Sequence, residues 1–330
     1  MTGVQTCALP IWLLAAVGVI LIAKIAYLRV RHPLRFGWAW HGPTVARLMV
    51  VGLPILANTA TFGAVLSLDR IVLLSLVPNG ARAAGLYSIA LMGTSWSLDV
   101  AGRVVAVLYT HFQTTLGRTG DRSEVARVAM RATEAQAPLL AVGGAIAYVF
   151  APSFLGMLMP RYIEGVAAIR PLMPGMVLLG LAWPARQMLI AIGRPYRLCL
   201  ATLAGLMFAA EVATMGASGG LVGVAWAMSL GYAAVVLLTG LAAYGSILGG
   251  RAWAGHLGRL SIVLAAFALA ALVAAHVPLD CGRWVEHVAR AAILAALAGP
   301  IVIVCGIRCG WLDMLAKSRR RVASAGLAAT

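Results

Sequence analysis

Residues 219–247 read GGLVGVAWAMSLGYAAVVLLTGLAAYGSI, and no side chain in the stretch carries a formal charge. As a helix rising about 1.5 Å per residue it outruns the roughly 30 Å of hydrocarbon in a bilayer. Its apolar residues do not alternate with polar ones, which argues against a strand of a membrane barrel. Hydrocarbon offers no hydrogen-bond partner to a backbone, so a single run of this kind satisfies itself only as a helix.

The rest of the chain repeats that solution. Of 330 residues, 62% are hydrophobic and only 11% charged, against about 25% charged in an ordinary soluble domain. That charge is too sparse to cover a globule of this size in water. The sequence therefore predicts an all-α fold, a polytopic transmembrane helix bundle. Spans of about 20 apolar residues fall near 11–28, 46–76, 84–110, 136–158, 165–190, 196–214, 219–247, 258–277 and 288–309, about nine in all.

The net charge of +16 would suggest nucleic acid in a soluble chain. Here the basic residues are mostly arginines lying between apolar runs, which is the pattern that orients a membrane protein. One alternating set of loops and the tail carries Arg29, Arg31, Arg35, Arg118, Arg122, Arg127, Arg131, Arg194, Arg197, Arg251, Arg259, Lys317, Arg319, Arg320 and Arg321. The other set carries only Arg82, Arg161 and Arg283. The asymmetry predicts a multi-pass protein of a bacterial inner membrane with a cytoplasmic C-terminus, and no nucleic-acid partner.

Residues 1–11 stand apart. Thr2–Ile11, TGVQTCALPI, has neither the basic n-region nor the cleavage pattern of a signal peptide. It resembles a translated sequencing adapter, and the expectation is a non-native scar on a truncated gene. Residues 122–134 form a basic amphipathic stretch suited either to lie along the interface or to serve as a plain connection. The tail, 310–330, is basic and expected to be disordered.

Enzymatic signatures are missing from the sequence. Neither Lys24 nor Lys317 follows a glycine-rich loop, so there is no ATP-binding motif. The five cysteines and six histidines are scattered without metal-ligand spacing, and neither a metal nor a cofactor is expected. Gly216–Gly220 matches GxSxG, but between two membrane helices it reads as a turn rather than a nucleophile elbow. Gly219 and Gly223, spaced GxxxG, suit close helix approach.

Charge inside the spans carries more information. A charge at the bilayer centre costs at least ~2.5 kcal/mol unless it meets a partner or a cavity. Arg103, Arg170, Arg186 and Arg70 are candidates to line a polar cavity that receives an anion. Asp99 lies one helical turn from Arg103, so a structural ion pair is the alternative there, with cavity-lining favoured for Arg103 and Arg170; snorkelling is the equal reading for Arg186 and Arg70. Asp69, Asp99 and Glu211 are the candidate coupling or structural acids, with a helix–helix hydrogen bond favoured for Glu211. Pro171, Pro174 and Pro184 in one span, and Pro54 in another, remove backbone donors and are the hinge candidates. Such kinked helices are frequent in transporters.

Four stretches resemble the multidrug/oligosaccharidyl-lipid/polysaccharide exporter superfamily, and its Wzx-like polysaccharide flippases in particular. They are Leu68–Ala90 (LDRIVLLSLVPNGARAAGLYSIA), Met159–Leu172 (MPRYIEGVAAIRPL), Ala191–Leu203 (AIGRPYRLCLATL) and Gly219–Ala234 (GGLVGVAWAMSLGYAA). The first is similar to the family's "DR" at a helix end followed by "GxYs.A" opening the next; the others match in order along 46–247.

The resemblance implies that residues 12–45 are the last helix of a first lobe and its linker. Residues 46–247 would then be a six-helix second lobe, and 248–309 two additional helices. It implies a transporter rather than an enzyme, moving an undecaprenyl-diphosphate-linked oligosaccharide between leaflets for cell-surface polysaccharide or lipopolysaccharide synthesis. Its partners would be the bilayer, the lipid-linked oligosaccharide, and polymerase and ligase machinery. The alternatives are a cation-coupled multidrug exporter or lipid II flippase of the same superfamily, or a polytopic membrane glycosyltransferase or polymerase.

Overall fold

The computed structural model describes residues 18–27, 41–277 and 283–308. The N-terminal stretch 1–11, most of the linker at 28–40 and the tail 310–330 lie outside the described residues. The chain divides into two compact units, Met1–Met49 and Val50–Thr330. In the first, the described structure is helix α1 (Gly18–Tyr27) and the opening turns of α2 (Gly42–Val65).

The second unit is all-α, a bundle of helices of membrane-spanning length. Its elements after α2 are α3 (Leu68–Leu76), α4 (Gly80–Thr94), α5 (Trp96–Thr119) and α6 (Arg122–Leu158). A 3₁₀ turn, Pro160–Gly165, leads into α7 (Val166–Leu181), α8 (Trp183–Ala191) and α9 (Pro195–Gly216). After a second 3₁₀ turn at Ala217–Gly219 come α10 (Gly220–Gly240), a π-helical turn (Leu241–Gly245), and the short α11 (Ser246–Leu248). The described chain closes with α12 (Gly250–His276) and α13 (Arg283–Arg308). Seven helical runs among the described residues are long and apolar enough to cross a membrane, and one of them, Pro195–Leu248, contains both α9 and α10.

The run over 160–191 holds the centre, with 72% of its most apolar window buried against 11% over 286–305. Around it, large apolar side chains such as Leu56, Val107, Met207 and Ile262 face outward, as hydrocarbon contact demands.

Several spans read as single helices are each two. Residues 46–76 break after Val65, 84–110 break at Ser95, and 165–190 break at Ala182. At the last break Pro184 occupies the first turn of α8, where its missing N–H costs no intrahelical bond. Pro171, Pro174 and Pro54 lie inside helices. The amphipathic stretch 122–134 is not a separate interfacial helix but the opening turns of α6, which runs unbroken for 37 residues. Asp121 starts that helix by accepting from the Ser123 N–H at 2.8 Å.

Small residues set the helix contacts. A Cβ on Gly175 of α7 would lie 2.5 Å from Ser229 Cα of α10, and the Ser229 hydroxyl donates to the Pro171 carbonyl there. Between α9 and α10, Gly231 abuts Ala209, Gly205 abuts Val235, and Gly216 abuts Gly223 and Ala227. Of the expected GxxxG pair only Gly223 is in the contact; Gly219 has open space around it because it belongs to the turn. Buried hydrogen bonds reinforce the seams: Thr202 Oγ1 donates to Asn58 Oδ1 at 2.9 Å, and Gln136 Nε2 to the Gly180 carbonyl at 3.2 Å. At one end of the bundle Arg82 Nη2 reaches both oxygens of Glu164 at 3.0 Å.

Gly175→Val should destabilise the protein by about 1–3 kcal/mol, the ordinary cost of overpacking, read as a lowered melting temperature in detergent. Asp121 gives a pH-dependent expectation. The Ser123 hydroxyl and N–H hold its carboxyl below the ordinary 3.8. Its contribution is therefore complete above the unfolded value and disappears as pH falls through the depressed folded one. The protection of the first-turn amides of α6, exchange taken relative to the intrinsic rate at each pH, should fall with acid, and Asp121→Ala should show the lowered protection at neutral pH as well.

Candidate functional site

Arg170 is the fifth residue of α7, followed by Pro171 and, a turn later, by Pro174. Because Pro174 has no N–H, the Arg170 carbonyl loses its intrahelical donor. The side chain lines a cavity of about 430 Å³ walled by α6, α7, α10 and α12. Tyr148, Met173, Pro174, Trp226 and Phe267 line it with Arg170.

The walls are otherwise apolar, and Arg170 is the one ionisable group among them besides the Tyr148 phenol. Its guanidinium carbon stands 5.5 Å from the Tyr148 ring centroid. Its Nε is buried without a hydrogen-bond partner, and no carboxylate pairs with it among the described residues. Guanidinium presents five donors in a rigid fork suited to carboxylate or phosphate. Such a fork can hydrogen-bond an anionic group, and the walls around it can take an apolar one.

A second cavity, of about 190 Å³, adjoins the first, since Leu178 and Leu264 line both. Arg170 lines the first and His256 the second.

The other candidate arginines lie elsewhere. Arg186 on α8 is buried, with its guanidinium carbon 3.9 Å from the Phe62 ring centroid and 5.7 Å from that of Trp183. Its Nη1 is buried and unpartnered. Arg70 and Arg103 are exposed. The expected Asp99–Arg103 ion pair does not form; both side chains point outward along one face of α5. With Thr110, Gln113 and Thr114, also exposed, they make a polar stripe down a helix of membrane length, since these positions recur within about 100° of helical arc. Lipid is a poor neighbour for such a stripe.

Among the acids, Glu211 is exposed, and its side chain makes none of the expected helix–helix hydrogen bonds; only its carbonyl is used, by Thr214. Asp69 is fully buried in the first turn of α3. Its Oδ1 accepts from the Arg70 N–H at 2.7 Å. Its Oδ2, the Tyr87 hydroxyl of α4 and the Tyr232 hydroxyl of α10 are buried near one another without hydrogen-bonding geometry. A carboxylate and two phenols are oxygen donors of the kind that a proton or a small cation would bind.

Sequence reasoning missed Tyr148, Trp226, Tyr87, Tyr232 and the pair Glu134–His256. None carries a local motif, and each gains meaning only from partners on other helices. Among the described residues no group of three or more His, Cys, Asp or Glu side chains is arranged to hold a metal ion.

Arg186 tests whether a buried cation serves stability. No carboxylate pairs with it, and a buried charge is often replaced by an apolar side chain without loss. Arg186→Met should leave the melting temperature in detergent unchanged or raised; a drop of several degrees would assign the residue to packing on Phe62 and Trp183.

Comparison with known proteins adds no identity: no protein-family model matches the chain, and neither a curated protein nor a solved structure is significantly similar to it.

Proposed function

We propose that the protein is a transporter that moves a lipid-linked anion across the bacterial inner membrane, in the manner of a polysaccharide flippase. The carrying observation is Arg170, a guanidinium without an acceptor set in an apolar cavity between membrane-length helices. A polyprenyl-diphosphate-linked oligosaccharide has the complementary build. Its diphosphate takes bidentate donors from arginine, and its hydrocarbon tail suits the apolar walls of the cavity. The resemblance of 68–90, 159–172, 191–203 and 219–234 to Wzx-like flippases favours the same substrate class. The polar stripe of Asp99, Arg103, Thr110, Gln113 and Thr114 supports a hydrated passage for the glycan. The loop asymmetry in Lys and Arg supports a cytoplasmic C-terminus.

A second reading, a cation-coupled exporter, is favoured by one observation, the buried Asp69 with its unpartnered Oδ2 beside Tyr87 and Tyr232. The two readings differ in what Arg170 binds.

The test is binding of undecaprenyl diphosphate by the purified chain in detergent, followed by native mass spectrometry. Arg170→Ala should weaken binding at least tenfold, because a charged hydrogen-bond partner is lost, while Arg82→Ala should bind as the parent does. Equal binding by Arg170→Ala would overturn the anion-receptor reading. Sodium- or proton-dependent binding of a cationic drug, abolished in Asp69→Asn, would favour the exporter instead.

A further inference from the structure

The second cavity holds a polar cluster that the transport reading does not use. His256 of α12 is fully buried. Its Nδ1 lies 2.8 Å from Glu134 Oε1 of α6. An ionised carboxylate only accepts, so Nδ1 carries the hydrogen and donates. Arg259, one turn further along α12, donates to the same oxygen through Nε at 2.9 Å and stands 2.7 Å from it through Nη2.

This arrangement fixes the imidazole. With Nδ1 committed to Glu134, the lone pair of Nε2 is on the opposite side of the ring, where it is buried without a partner. His256 lines the cavity of about 190 Å³, together with Thr133, Tyr244, Trp253 and Ser261. The Thr133 and Tyr244 hydroxyls are 3.3 Å apart and bonded to each other. Tyr244 sits in the π-helical turn after α10, a widened turn of the sort found often at functional positions. It meets the His256 ring edge-on at 5.5 Å, while Trp253 stands 5.6 Å from both rings.

We propose that His256 is a proton-binding site, with Glu134 as its fixed acceptor, Nε2 as the atom that takes the proton, and the adjoining cavity as the place from which the proton arrives. The inference is independent of the substrate assigned to Arg170. In the neutral state Glu134 and Arg259 balance each other, and Nε2 is an acceptor. Uptake of one proton turns Nε2 into a donor and adds one positive charge to the seam between α6 and α12. The Thr133, Tyr244 and Ser261 hydroxyls on the cavity wall are the polar partners that a water accepting from the new N–H would need.

The ionisable groups facing the ring are Glu134 from α6, Tyr244 from the π-helical turn and Arg259 from α12 itself. The cavity wall contributed by α7, α8 and α10 adds none. The protonated ring would hold α12 to α6 by a charge-assisted bond, stronger than the neutral one.

Trp253 reports on the event, because an imidazolium quenches a neighbouring indole more strongly than an imidazole does. The intact chain in lipid nanodiscs is titrated from pH 9 to pH 5, and the Trp253 signal is taken as the emission of the parent minus that of Trp253→Phe. The expected result is a reversible fall of this component with acid, lost in His256→Gln, whose amide still donates to Glu134. A flat Trp253 signal, or the same fall in His256→Gln, overturns the proposal. Should His256→Gln fail to fold, Glu134→Gln leaves the imidazole in place and must move the midpoint; an unmoved midpoint assigns the titration to another group and rejects the site.

Discussion

Backbone-to-backbone contact between helices is the interaction on which this bundle depends. In hydrocarbon an apolar side chain gains little by leaving lipid for protein, so helices associate through close packing and interhelical hydrogen bonds. The contacts of Gly175 with Ser229, Gly231 with Ala209 and Gly216 with Gly223 therefore matter more than the large apolar residues around them. They bring α7, α9 and α10 together at the centre, and the remaining helices pack around that assembly. The Ser229 hydroxyl on the Pro171 carbonyl adds a polar contact at a point where the helix carries two prolines.

That tight centre allows open space beside it. The cavity at Arg170 lies between α12, which packs on α6, and the helices α7 and α10. Its walls are Met173, Leu178, Phe267 and similar side chains, which leave an irregular surface where two backbones cannot close. A rigid set of contacts and a loose one meet at α7, and both face the same proline-bearing turn. The cavity is thus a product of where small residues occur and where they do not.

Much of this was legible in the sequence, and the reason is the solvent. Hydrocarbon enforces helices and long apolar runs, so the positions of the spans follow from composition alone, as 219–247 illustrates. The break at Ser95 was not legible, because serine is not a strong helix breaker, whereas the break at Ala182 was marked by the hinge candidate Pro184 in the first turn of α8. Arg170 was recognisable as a charge in an apolar span, whereas its cavity was not, since Tyr148, Trp226 and Phe267 come from three other helices. The Asp99–Arg103 pair shows the opposite error: spacing placed the two on one face, but that face looks away from the bundle, where nothing holds the side chains together. Glu211 failed for the same reason. His256 escaped notice because a lone histidine has no pattern until Glu134, 122 residues earlier, lies against it.

The unbroken length of α6 has a mechanical consequence. Its 37 residues measure about 55 Å, well beyond the roughly 30 Å of hydrocarbon. Glu134 and Tyr148 are on this one rod, about 20 Å apart at 1.5 Å per residue. Pro138, Gly143 and Gly144 stand between them, and a proline inside a helix is where it bends, so a lean imposed at the Glu134 end reaches the wall of the Arg170 cavity through a joint. The helix is a jointed lever, with the His256 partner Glu134 on one arm and the Arg170 neighbour Tyr148 on the other.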